Sequence, residues 1–190
     1  MSTIITTVRD LMPIRPLSFA ESLRLAELQA SKFLALIGHQ EGPLPEKAIA
    51  DLPRVQVERM SPAPVSGATQ WSRGRWLIIL NGSEPRGRQR FSLAHEFKHV
   101  LDNPFIDTLY PASADMSAAE RAEQVCDYFA ACLLMPRLHV KRAWTRGQQS
   151  TRNLARDFDV SQAAMRVRLL QIGLIQAGER CEGVSRAVAA

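Results

Sequence analysis

The chain has 190 residues, 46% of them apolar and 23% charged, which suits a folded domain with a small appendage and excludes a disordered chain. No apolar run approaches the roughly 18 residues a membrane span requires, and the N-terminus lacks the apolar stretch of a secretory signal. A net charge of +5 admits nucleic acid or an acidic protein as partner, and equally an ordinary solvated basic surface.

In chain order, residues 1–17 carry Pro13 and Pro16 and read as a loose leader. Ser18-Phe19-Ala20-Glu21 has the form of a capping box. Phe19, Leu23, Ala26, Ala30, Phe33, Leu34 and Ile37 follow at helical spacing, which predicts a long helix over 18–37 closed by Gly38. Pro43 and Pro45 open a short helix over Glu46–Asp51. Strands are predicted over 55–60, where residues alternate, and over 76–80, stopped by Asn81-Gly82. Pro62, Pro64 and Gly67 mark a loop between them. Helices follow over 89–102, 117–134 and 138–144, the first stopped by Pro104 and the second by Pro136. Ser150–Phe158 suggests another helix, Asp159-Val160 a turn, and Ser161 the cap of a second helix through Ile172, stopped by Gly173. Cys126, Cys132 and Cys181 form no disulfide framework, so reduced thiols and a cytoplasmic location are expected.

His95-Glu96-Phe97-Lys98-His99 is an HExxH sequence. On a helix, positions i and i+4 share a face, so His95 and His99 can reach one zinc ion. Glu96 lies about 100° round the helix from His95 and can serve as the base for a water at the metal. Two histidines need a third protein ligand. A third histidine at metzincin spacing is excluded, because Asp102 and Phe105 stand where Gly and His would be needed. The 117–134 helix offers Glu120, Glu123 and Asp127. Glu123 and Asp127 share a face, so Glu123 can bind metal while Asp127 accepts the N–H of a ligating imidazole. His39, His139 and Cys126 are the alternative ligands.

Two imidazoles and a carboxylate on Zn2+ point to hydrolysis of a peptide bond, with Glu96 carrying the proton to the leaving amine. The 76–80 strand could lie at a sheet edge and hold an extended substrate. Tyr110 and His139 are candidates for oxyanion or substrate contact. In the last predicted helix, Arg166 and Arg168 are candidates for contact with nucleic acid or a protein partner, and docking or plain packing outweighs direct DNA binding.

Arg90-Phe91-Ser92-Leu93-Ala94-His95-Glu96-Phe97-Lys98-His99 resembles the R-F-S/T-L-A-H-E-x-x-H signature of ImmA/IrrE-type metallo-endopeptidases. Glu123 to Pro136, ending Phe129-Ala130-Ala131-Cys132-Leu133-Leu134-Met135-Pro136, resembles their E-x-x-A-N/D-x-F-A-A-x-L-L-M-P helix, and Leu154–Leu174 their helix-turn-helix-like segment. The resemblance implies a zinc protease that cleaves a helix-turn-helix repressor and so derepresses stress or mobile-element genes. It places Glu123 at the third-ligand position and Asp127 at its partner position. Lys98, Val125 and Cys126 depart from the family's common Gly, Glu and Ala, and Lys98 is expected to point to solvent.

The fold expected is α+β: a mostly helical zincin-like metalloprotease core with a small β-sheet, followed by the helix-turn-helix-like segment. Its divisions are a leader (1–17), a peptidase domain (18–148), the helix-turn-helix-like segment (149–176) and a flexible tail (177–190), with no room for a built-in sensor domain. Alternative readings are a DNA- or protein-binding regulator, or a toxin–antitoxin component, with a non-catalytic zincin core.

Overall fold

Three long helices carry the apolar periodicity that builds the core: α2 (Phe19–Leu36), α4 (Arg86–Asp102) and α6 (Ala118–Leu134). The structure, a computed structural model, describes residues 3–176. Ser18 with Glu21 and Ser117 with Glu120 form reciprocal capping boxes that fix where α2 and α6 begin. Phe97 of α4 stacks between Phe33 of α2 and Phe129 of α6, with ring centroids 5.1 and 6.2 Å away. Helix α4 also packs on the sheet and is buried nearly all round. The shorter helices are α3 (Lys47–Ala50), α5 (Ile106–Leu109) and α7 (Arg137–Thr145). Among the described residues, no helix is long and apolar enough to cross a membrane.

The sheet contains β1 (Val55–Met60), β2 (Gly67–Ser72) and β3 (Arg75–Asn81) in the order β1-β3-β2. β1 runs parallel to β3 and β2 antiparallel, in a register that sets Gly67 opposite Leu80 and Thr69 opposite Ile78. Arg73 and Gly74 join β2 to β3 with φ of 50° and 79°, the two-residue turn whose twist matches a hairpin. Trp76, Ile78 and Leu80 point into the core. This corrects two expectations. The stretch around Gly67 is a strand, not a loop, and β3 is the central strand, so the free edge nearest α4 belongs to β2. Gly-Ala-Thr-Gln-Trp-Ser hides its strand character because its inward positions are small or polar.

Residues 3–17 are not a loose leader. Thr3 caps α1 (Ile4–Arg9), Ile5 and Val8 are buried, and Arg9 donates to the carbonyls of Val100 and Leu101 at the end of α4. Helices α8 (Thr151–Asp157) and α9 (Gln162–Gln171) form the two-helix pair expected from the caps at Ser150 and Ser161, and they join the same apolar core through Leu154, Met165 and Leu169. Asp159, in the left-handed region at φ 53°, turns the chain between them. The Arg90 side chain donates to the Asp159 carbonyl at 2.9 Å, and Arg86 pairs with its carboxylate at 2.9 Å. A Cβ on Gly87 would lie 3.2 Å from the Ser161 nitrogen, so the missing side chain lets this turn sit on the start of α4. Arg168 is fully buried, donating to the Met135 carbonyl at 3.0 Å, which removes it as a contact for nucleic acid. The expected tail over 177–190, with Cys181, lies outside the described residues.

Candidate metal centre

Helix α4 presents His95 and His99 one turn apart, and α6 crosses it so that Glu123 faces both. The two Nε2 atoms are 3.1 Å apart, and the Glu123 oxygens lie 3.2 Å from each. Donors about 2.0–2.2 Å from a tetrahedral zinc stand about 3.3 Å from one another, so this trio fits the ion. The other ring nitrogens are occupied: Asp127 Oδ1 lies 2.8 Å from His95 Nδ1, and Cys126 Sγ 3.7 Å from His99 Nδ1. With each Nδ1–H donating, each Nε2 lone pair is left for a cation. Burial works against a charged His95, but the Asp127 hydrogen bond and the charges of Asp127, Glu123 and Glu96 outweigh it and raise its pKa. The pocket therefore favours positive charge.

His95, His99 and Cys126 also offer three ligand atoms within 4.8 Å of one another. That set is the weaker one. The Cys126 sulfur sits behind His99, on its Nδ1 side, and burial first, then the charge of Asp102, pushes its thiol pKa well up, away from a ligating thiolate.

Glu96, next to His95 on α4, is 7% exposed. Thr69 of β2 donates to its Oε2 at 2.7 Å. A Cβ on Gly67 would lie 2.8 Å from Glu96 Oε1 and 2.9 Å from its Cγ, so β2 approaches this closely only because residue 67 is glycine. Gly67 and Thr69, which contact Glu96, are positions that sequence reasoning missed. No spacing marks them, and only the missed strand brings them to Glu96.

Two hollows meet at the trio. One, of about 340 Å³, is lined by Thr69, Trp76, His99, Asn103 and Glu123 among others. The second, of about 360 Å³, runs past Ser66, Arg88, Phe91 and Asp127. Gly67, His95, Glu96 and Glu123 line both. Together they form an open cleft beside the edge of β2, which pairs with no other strand among the described residues.

Three candidates are not at this cleft. Tyr110 is 1% exposed and donates to Asp102 Oδ2 at 2.6 Å; burial and the Asp102 charge raise its pKa, and it is no oxyanion donor. His139 pairs with His39 at 5.9 Å between ring centroids and borders a separate hollow with Glu41 and Arg142. Arg166 lies half-buried on α9, outside the cleft lining. Lys98 also departs from expectation. Fully buried, it donates to Asp102 Oδ1 at 2.5 Å, Gln29 Oε1 at 2.8 Å and the Tyr110 hydroxyl at 3.2 Å. Helix α4 has no solvent face at this position, so Lys98 needs a buried counter-charge.

The chain matches the Peptidase_M78 family model, described as the IrrE N-terminal-like domain, over residues 53–170, a span that includes every residue of this site. A search of curated proteins finds no match. Among solved structures the chain is similar to a Mycobacterium tuberculosis transcriptional regulator, with a TM-score of 0.63 and 18% identity over 88% of this chain and 51% of that one. At that identity the likeness is one of fold, and this chain corresponds to about half the length of that protein. A family model matched over more than half of the sequence assigns it: the chain belongs to the Peptidase_M78 family, the ImmA/IrrE-type metallopeptidases.

Proposed function

We propose that the chain is a zinc-dependent endopeptidase with a zincin-like core, which cuts a helix-turn-helix transcriptional repressor in the cytoplasm and so relieves repression of stress or mobile-element genes. The observation that carries this reading is the convergence of His95, His99 and Glu123 beside Glu96 in an open cleft. When bound there, zinc supplies an electrophile that polarises a carbonyl and acidifies a water. His95 and His99 would hold it through Nε2 and Glu123 through its carboxylate, with Asp127 and Cys126 fixing the ring orientations. Glu96 takes the proton of the attacking water and returns it to the leaving amine. Thr69 keeps one Glu96 oxygen engaged and so fixes the carboxylate's orientation. The free edge of β2 offers main-chain hydrogen bonds to an extended substrate.

A repressor as substrate is supported by the family resemblance and by a fold neighbour described as a transcriptional regulator. The α8–α9 pair is read as helix-turn-helix-like but as a docking element, since Arg168 is turned inward. The test is to incubate the zinc-loaded protein with the repressor encoded beside its gene. A unique cut that disappears in Glu96→Gln is expected. No cut under any metal condition would favour a regulator with a non-catalytic core.

A further inference from the structure

Helix α9 faces a groove that the chemistry above does not use. Its walls are α9 on one side and α2, α4 and α6 on the other, and it encloses about 500 Å³, a volume typical of ligand pockets. Phe19, Leu23, Phe91, Tyr128, Ala164 and Val167 give it an apolar lining, with Gln124, Gln171 and Arg88 on the polar side. Val167 is 51% exposed there. The groove and the cleft share three residues, Arg88, Phe91 and Asp127, and Asp127 is the group bonded to His95. A polypeptide lying in the cleft therefore runs into the groove without leaving the surface.

We propose that this groove extends the peptidase cleft and takes apolar side chains of the substrate at positions well removed from the scissile bond. The proposal rests on the peptidase reading. Its occupant is the substrate chain itself: a segment with apolar anchors, continuous with the strand that is cut. Two further observations support that occupant. The groove side of α9 carries Ala163, Ala164 and Val167, whereas Arg168 is directed inward to the Met135 carbonyl, so this wall offers aliphatic contact where a phosphate reader would offer cations. The wall is also rigidly placed, because Arg86 and Arg90 hold Asp159 at the α8–α9 turn and Gly87 lets that turn seat on α4. A preformed apolar wall adds affinity without an ordering cost at binding.

The test uses the full zinc-loaded chain and a proteome-derived peptide library. A photo-crosslinking amino acid replaces Val167 in a Glu96→Gln background, and the control places it at Leu138, which is 75% exposed on α7. Crosslinking at 167 is expected to exceed that at 138 and to select peptides with apolar residues. In cleavage by the otherwise intact protein, Val167→Asp should lower kcat/KM about tenfold for peptides with distal apolar residues and leave peptides trimmed close to the bond unchanged. Ala163→Asp, at an exposed position on the same wall, should do the same and guards against a folding defect at 167. Equal crosslinking at the two positions, crosslinking of duplex DNA in place of peptides, or an unchanged cleavage profile in both variants overturns the proposal. If the wild type cleaves no peptide, the peptidase reading falls, and crosslinking alone decides whether the groove holds polypeptide.

Discussion

One helix, α4, presents two polar clusters that behave in opposite ways. Toward the cleft, His95, Glu96 and His99 converge with Glu123 so that lone pairs and carboxylate oxygens crowd to within 3.1–3.2 Å. Toward the interior, Lys98 meets Asp102, Gln29 and Tyr110, and its ammonium is fully hydrogen bonded by the protein. The interior cluster carries its own cation and is closed. The cleft cluster gathers lone pairs and carboxylate oxygens and, on the proposed reading, receives a metal cation. On that reading, adjacent residues of one motif, His99 and Lys98, serve function and stability respectively.

Variants should separate the two faces cleanly. Glu123→Ala should lose stoichiometric zinc, read by metal analysis. Glu120→Ala should keep its zinc, since Glu120 serves only the Ser117 cap. Loss of zinc from Glu120→Ala but not from Glu123→Ala would reverse the ligand assignment. On the interior face, Lys98→Met should destabilise the fold by about 3–5 kcal/mol by leaving Asp102 buried and unpaired. Lys98→Met combined with Asp102→Leu should recover much of that loss, as measured by denaturant unfolding. If the single variant unfolds no more easily than the wild type, the closed character of this cluster is wrong.

Asp127→Ala should weaken zinc affinity about 10–100-fold while leaving the ligands in place, because it removes the acceptor that orients His95. Competition with a calibrated chelator reads this directly. The smallest effect lies far from both clusters. Glu21 is held down to about 2 by Arg15 first and then by the Ser18 bonds of the α2 cap. A depressed carboxylate stabilises the fold above its unfolded value and loses that contribution as pH falls toward 2. Glu21→Gln should flatten this acid limb of the stability curve and leave neutral-pH metal binding untouched.

The parts legible in the sequence are those with strong local signals. Capping boxes at Ser18 and Ser117 marked the starts of α2 and α6, and HExxH with the Glu123/Asp127 spacing pointed to side chains that the structure brings within hydrogen-bond distance of one another. What stayed hidden depends on tertiary neighbours. β2 shows no apolar alternation because Gly67 and Thr69 are chosen to fit Glu96 rather than to fill a core. Lys98 reads as a surface residue until Asp102, one turn on, and Tyr110, beyond Pro104, are seen to enclose it. Helix α1 is too short for periodicity to show, yet Arg9 ties it to the end of α4. Arg168 has the position of a base reader and the environment of a core residue.

The most direct test of the cleft's assignment is to measure zinc content and substrate cleavage on the same preparations of wild-type protein and Glu96→Gln. The account predicts one zinc per chain in both, with cleavage in Glu96→Gln reduced by a factor of about 10²–10⁴ or more. Zinc-free wild-type protein that still cleaves, or undiminished cleavage by Glu96→Gln, would contradict it.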